Sequence, residues 1–96
     1  MKTEQELAEF YERLKKELDE TTTFPTTYLY KFIIPNTTER LHQLTAIFEQ
    51  TQAEIKTRPS SNGKYMGVSV SVSLQNSDEV IQYYKEAGKV EGIVSL

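Results

Sequence analysis

Two hydrophobic periods alternate along this chain, and the points where one gives way to the other mark its elements. The longest unbroken alternation starts at Met66. Met66, Val68, Val70, Val72 and Leu74 share one side and Gly67, Ser69, Ser71 and Ser73 the other, because side chains of a strand have period two. One side is a core face and the other a strip of small hydroxyls, so the sheet has one packed face and one left for water or a partner. Tyr28 to Ile34 reads as another strand, with Tyr28, Tyr30, Phe32 and Ile34 inward; Leu29, Lys31 and Ile33 face out because Lys31 requires water. Ala53 to Arg58 alternates Ala53, Ile55 and Thr57 with Glu54, Lys56 and Arg58, a charge pattern that guards an edge strand against stray pairing. Val90 to Leu96 is expected as a closing strand, and Asn62-Gly63 as a tight hairpin turn, since such turns need residues that tolerate positive φ.

The other segments have helical period. Thr3-Glu-Gln-Glu6 is a capping box. Leu7, Phe10, Tyr11, Leu14 and Leu18 then form the stripe of an amphipathic helix to about Glu20, with Glu9/Arg13 and Glu12/Lys16 spaced to pair outside. Asn36-Thr-Thr-Glu39 begins a helix to about Thr51 with Leu41, Leu44, Ile47 and Phe48 inward. Asn76-Ser-Asp-Glu79 repeats the cap before Val80, Ile81, Tyr84 and Ala87, and Gly88 offers a left-handed stop. Strand and helix recur forty positions apart, Phe32 with Val72, Ile34 with Leu74, Leu41 with Ile81 and Leu44 with Tyr84. The order is β-α-β-β-α-β, the ferredoxin-like α+β arrangement, with an additional N-terminal helix. Right-handed crossovers place both core helices on one face and the first and third strands at the centre. The expected organisation is a helix over residues 1–20, a threonine-rich linker over 21–27 and a ferredoxin-like domain over 28–96. The first helix has to cover either its own helix layer, the open sheet face or a second copy, since so short a helix is marginal alone.

Composition narrows the chemistry. A chain of 96 residues forms one domain and buries about 60–65% of its unfolded surface. It has no cysteine and a single histidine, His42, which removes disulfides, thiolate chemistry and multi-histidine metal or relay sites within one subunit. No apolar run approaches the roughly 20 residues that span a bilayer, and a soluble cytoplasmic protein is expected. The net charge of -3 resides in residues 1–20, which hold seven acidic and four basic side chains, while the rest is neutral. Duplex nucleic acid is therefore not an expected partner.

Phe24-Pro-Thr, Tyr30-Lys31, Arg58-Pro-Ser-Ser-Asn-Gly-Lys-Tyr65, Val68-Ser-Val70 and Tyr84-Lys-Glu-Ala-Gly-Lys-Val90 resemble the YbeD-like family of small bacterial proteins of unknown function, also called lipoate regulatory protein-like. The resemblance covers about residues 24–96. It implies a fold similar to the ACT domains that bind small effectors and regulate metabolic enzymes, and a link to lipoate metabolism. It implies no catalytic residue, and no cofactor is expected. ACT domains that bind amino acids commonly carry a glycine in the first strand-to-helix loop, where backbone approaches ligand closely. Here that loop is Ile34-Pro-Asn-Thr-Thr38, which tells against amino-acid binding of that kind.

The candidate binding segment is Arg58, Pro59, Ser60, Ser61, Asn62, Gly63, Lys64 and Tyr65, which gathers two cations, hydroxyls and a turn whose amides can face an anion. It lacks the spacing of a nucleotide P-loop, and read structurally it is a hairpin with polar turn residues. The open sheet face, with Leu29, Lys31 and Ile33 beside the serines and flanked by Lys56, Arg58, Glu91 and Ile93, is expected to be covered by the N-terminal helix or another subunit. Its alternative use is single-stranded RNA recognition, for which Tyr65 is the one available stacking ring. Glu39 and Glu79 are read as helix caps rather than a carboxylate pair, and His42 as solvent-facing. The expected function is a non-catalytic regulatory or interaction module that binds a protein partner or a small anionic metabolite, with homodimerisation through the first helix as one arrangement and no membrane association.

Overall fold

A computed structural model describes residues 3–96. The elements are α1 (Glu4–Thr21), β1 (Thr26–Pro35), α2 (Thr38–Ile47), β2 (Glu54–Pro59), β3 (Tyr65–Leu74), α3 (Ser77–Ala87) and β4 (Val94–Ser95). The four strands form one antiparallel sheet in the order β2-β3-β1-β4, so the β-α-β-β-α-β reading and its two central strands hold. β1 and β3 pair along their full length, Thr26 opposite Leu74 and Pro35 opposite Tyr65.

The alternating pattern is what divides the sheet. Tyr30, Phe32 and Ile34 of β1 and Val68, Val70, Val72 and Leu74 of β3 are buried under Leu44 and Phe48 at α2 and Val80 and Ala87 of α3. Tyr30 is the centre of this core, its ring 4.8 Å from those of both Tyr28 and Tyr84 and 5.6 Å from Phe32 and Phe48. Its buried hydroxyl donates to the Val80 carbonyl at 2.9 Å, which removes the cost of enclosing a phenol.

α1 lies along α3, on the helix layer, and does not cover the open sheet face. Its capping box forms as expected, Thr3 Oγ1 accepting from the Glu6 amide and Glu6 Oε1 from the Thr3 amide. Lys15 and Asp19 meet Ser77 and Asp78 at the start of α3, while Tyr11 lies under Lys85 near its end. The helices are therefore antiparallel, and α1, with 18 residues against 11 in α3, runs past its partner. Only part of the expected stripe is covered: Leu18 is buried, but Leu7 and Phe10 remain 40% and 39% exposed. Among the described residues, Glu9/Arg13 and Glu12/Lys16 form no ion pairs; the pair within α1 is Lys15–Asp19 at 3.4 Å.

Other boundaries shift for local reasons. β1 starts at Thr26 rather than Tyr28, and α2 ends at Ile47, with Phe48 as its C-cap. The N-cap of α2 is Thr37, whose Oγ1 accepts from the Arg40 amide at 3.1 Å, not Asn36. Gly88 stays right-handed at φ -62°, so no left-handed stop is used; the chain leaves α3 through turns closed by the Lys89 and Val90 amides on the Glu86 and Ala87 carbonyls. Those turns also shorten the last strand. Val90 is buried in the core cluster, and Gly92 takes φ +81° where a Cβ would lie 2.8 Å from Pro35 Cγ. Only from Val94 is the backbone free to pair with Ile33.

Candidate functional site

β2 and β3 are joined by the loop Ser60–Lys64, longer than the tight Asn-Gly turn expected, and within it only Gly63 has positive φ, +74°. Asn62 acts through its side chain instead. Its Oδ1 accepts from the Lys64 amide at 3.0 Å and the Ser60 hydroxyl at 2.9 Å, while Ser60 Oγ accepts from the Tyr65 amide at 3.1 Å. The Ser60 amide donates to the Tyr65 carbonyl at 2.8 Å and the Gly63 amide to the Ser60 carbonyl at 2.9 Å. Three of the loop's amides, those of Ser60, Gly63 and Lys64, and that of Tyr65 at the start of β3 are thus engaged internally. The loop is braced by its own hydrogen bonds, and what it offers an anion is side-chain charge more than backbone.

A second clamp comes from the β1–α2 junction. Asn36 Nδ2 donates to the Gly63 carbonyl at 2.8 Å and the Asn36 amide to the Lys64 carbonyl at 3.0 Å. The cap-like spacing of Asn36-Thr-Thr-Glu39 concealed this role, because asparagine and threonine are both good caps. Glu39 does not complete a capping box; it pairs with Arg40 at 3.2 Å, and Arg40 also reaches Glu91 at 3.1 Å. Glu79 accepts from the Gln75 amide. The two carboxylates therefore have separate structural tasks, and His42 is exposed. Among the described residues no group of three or more His, Asp or Glu is placed to hold a metal ion.

The register carries the hairpin onto the open sheet face. Gly67 lies between Arg58 of β2 and Ile33 of β1, and Ser69 between Lys56 and Lys31. Tyr65 shares this face by its period-two relation to Gly67 and is 49% exposed. Lys31, Ile33, Lys56, Arg58, Gly67 and Ser69 rim a shallow depression of about 490 Å³, closed on the β4 side by Leu96, whose amide donates to the Lys31 carbonyl at 2.9 Å. Glu91 and Ile93 are not on this face as expected. Glu91 is held by Arg40, Ile93 packs on the core, and Val94 and Leu96 take their place, 52% and 72% exposed.

The charge on this face is one-sided. Its acid, Glu54, is paired with Lys56 at 3.4 Å. Among the described residues, the side chains of Lys31, Arg58 and Lys64 make no ion pair or hydrogen bond. A chain of net charge -3 therefore carries a cationic strip across its uncovered sheet face. The rings of Tyr30 and Phe32 are buried on the opposite side, and Tyr28 packs against that same core, so Tyr65 is the ring the face presents.

The same architecture recurs in solved structures. The fold is similar to the crystal structure of the ACT domain from GTP pyrophosphokinase of Chlorobium tepidum, with a TM-score of 0.52 and 14% identity, covering 74% of this chain and all of that one. The solution NMR structure of that domain gives a TM-score of 0.51 at 13% identity, covering 73% of this chain and 86% of that one. At this identity the likeness is one of fold. No helix among the described residues is long and apolar enough to cross a membrane. In sequence, the chain is 28% identical over 81 residues to the UPF0250 protein YbeD of Escherichia coli O1:K1 / APEC and of Shigella boydii serotype 18, covering 81% of this chain and 93% of each relative. Residues 19–96, from the last turn of α1 through the whole sheet, match the family described as protein of unknown function DUF493, and with that match the chain belongs to this YbeD-like family.

Proposed function

We propose that the chain is a non-catalytic regulatory or interaction module that binds an anion-bearing protein partner or a small anionic metabolite on the surface running from Arg58–Tyr65 onto the open sheet face. The observation that carries this reading is the row Lys56–Ser69–Lys31 with Arg58 beside it. Lys31 and Lys56 stand two strand spacings apart, about 9.5 Å, with Ser69 between them, a gap that a bound anion can bridge. Ser69 adds a hydroxyl between the cations, and Gly67 leaves the floor of the depression low. The likeness to an ACT domain from an enzyme supports the regulatory side of the reading.

The test is an amide-shift NMR titration of the full chain with phosphate, pyrophosphate, citrate and a short poly-glutamate. The expected shifts centre on Lys31, Gly67, Ser69 and the Gly63–Tyr65 segment. They should be lost in Lys31→Ala/Arg58→Ala and weakened in Lys64→Ala, while unfolding free energy stays within about 0.5 kcal/mol of the parent, as for exposed positions generally. Shifts confined to another surface, or unchanged affinity in the double variant, overturn the reading. An oligouridine probe separates the RNA alternative, which requires a steep loss of affinity with salt and a dependence on Tyr65.

A further inference from the structure

We propose that the occupant of the open sheet face is an acidic amphipathic helix of a different protein, lying along β1 with its apolar stripe on Leu29, Ile33, Val94 and Leu96 and its carboxylates toward Lys31, Lys56 and Arg58. The proposal rests on the reading of this face as the binding surface and names the class of partner. Two overlapping stripes share this face, one cationic and one apolar, with Lys31 standing between Leu29 and Ile33 on β1. The cations stand on β1 and β2 around Ser69, while Leu29 is 50% exposed on β1 and Val94 and Leu96 carry apolar exposure onto β4. A small anion satisfies the first stripe and leaves the second in water. An elongated ligand, apolar along one side and acidic along the other, satisfies both.

Leu29 to Ile33 spans about 13 Å at the strand rise, between two and three helical turns. A partner helix with apolar residues at i, i+3, i+4 and i+7 matches that length. Ser69 and Ser71 bring no bulk to the middle of the face, so a helix can sit close to the sheet. Such a helix adds on this side the layer that α2 and α3 form on the other, the usual way an amphipathic sheet is closed.

Charge and symmetry disfavour a second copy as occupant. Two of these faces stacked together oppose Lys31, Lys56 and Arg58 to themselves. α1 is acidic, but it sits on α3, across the molecule from the open face. An α1-to-sheet contact between copies is thus head-to-tail and generates rings or open chains rather than a two-fold dimer.

The experiment titrates the full chain with a synthetic helical peptide of about 18 residues, long enough to present three leucine-bearing turns flanked by glutamates. A scrambled peptide of the same composition and inorganic phosphate serve as comparisons. The expected result is binding at least tenfold tighter for the amphipathic peptide than for the scrambled one, with joint shifts at Leu29, Ile33 and Val94 and at Lys31 and Arg58. Leu29→Ser should remove the tenfold preference while leaving the response to phosphate. Equal affinity for the two peptides overturns the helix proposal and leaves the anion reading standing; no response to peptide or phosphate at this face overturns both. A mass by light scattering that rises with protein concentration and falls back in Leu7→Ser/Phe10→Ser assigns the face to α1 of a second copy, which also overturns it.

Discussion

The two faces of β1 belong to one backbone and obey different rules. Tyr30, Phe32 and Ile34 are enclosed to 1% exposure or less, whereas Leu29, one residue away, is 50% exposed. On the inner face shape decides: a ring at Tyr30 has ring neighbours on β1, at the C-cap of α2 and on α3, and its hydroxyl has a partner on α3. On the outer face charge decides, and among the described residues the exposed Lys31 side chain makes no ion pair or hydrogen bond. A strand of this kind separates stability from recognition by alternation alone. Substitutions on one face should register in unfolding, and on the other in binding.

The largest expected effect tests that separation directly. Phe32→Ala should lower the unfolding free energy by about 3–5 kcal/mol, since it leaves a cavity where helices and sheet meet. Leu29→Ala should change it by less than about 0.5 kcal/mol. Urea unfolding of the two variants measures both. Comparable losses would mean that the outer face is packed in solution, by α1 or by another copy, and the comparison would break.

Most of this division was legible in the sequence because alternation is a local property. The inner set at Tyr30, Phe32 and Ile34 and the outer set at Leu29, Lys31 and Ile33 could be assigned without knowing which strands were neighbours. What was not legible depended on pairs distant in the chain. Asn36 had a sufficient local explanation as a cap, so nothing drew attention to Gly63 and Lys64 as its partners. Val90 has the β-branched character of a strand residue, yet it is buried in a turn because Gly92 and Pro35 fix the path there. Arg58 was singled out with its hairpin neighbours, but the company of Lys56, Ser69 and Lys31 that makes the candidate site arises only from the register of β1, β2 and β3. Placing α1 required knowing that Ser77 and Asp78 would receive Lys15 and Asp19.

A smaller effect sharpens the comparison through pH. Burial pushes the phenols of Tyr30 and Tyr84 well above their ordinary value of 10.0. For Tyr84 the hydrogen bond with Tyr28 at 2.9 Å adds to this. The folded chain keeps these protons where the unfolded chain releases them, so the contribution is present in full below about pH 10 and is lost as pH rises from there toward the raised folded values. The urea midpoint should therefore fall between about pH 9.5 and 11. Tyr30→Phe, which also gives up the bond to Val80 at a cost of about 1 kcal/mol, should flatten the fall. A slope unchanged by that substitution would place the alkaline sensitivity outside the inner face.

The smallest effect concerns the layer beyond the helices, where a polar clasp adds to the burial of Leu18 in holding α1. Ser77, 2% exposed at the start of α3, donates its hydroxyl to Asp19 and accepts from Lys15 at 3.1 Å, and Lys15 also reaches Asp78 at 3.2 Å. The Ser77 hydrogen bond holds the Asp19 carboxyl below its ordinary 3.8, and the hydrogen bond to Asp78 holds the Lys15 ammonium above its ordinary 10.5. The signs are opposite. The contribution of Asp19 is present above about pH 3.8 and lost as pH falls through its lowered value, while that of Lys15 is present below about 10.5 and lost as pH rises past it. The clasp is therefore complete across the neutral range and opens from the acid side through Asp19. Carbon-detected NMR of the Asp19 carboxyl should show a midpoint below 3.8 in the parent chain and an upward move toward that value in Ser77→Ala. The Leu18 methyl shifts should follow the same midpoint, and those of Leu29 and Ile33 should not. If the open-face residues titrate together with Asp19, the clasp and the binding face are coupled, and the two sides of the sheet are not the independent surfaces that their alternation implies.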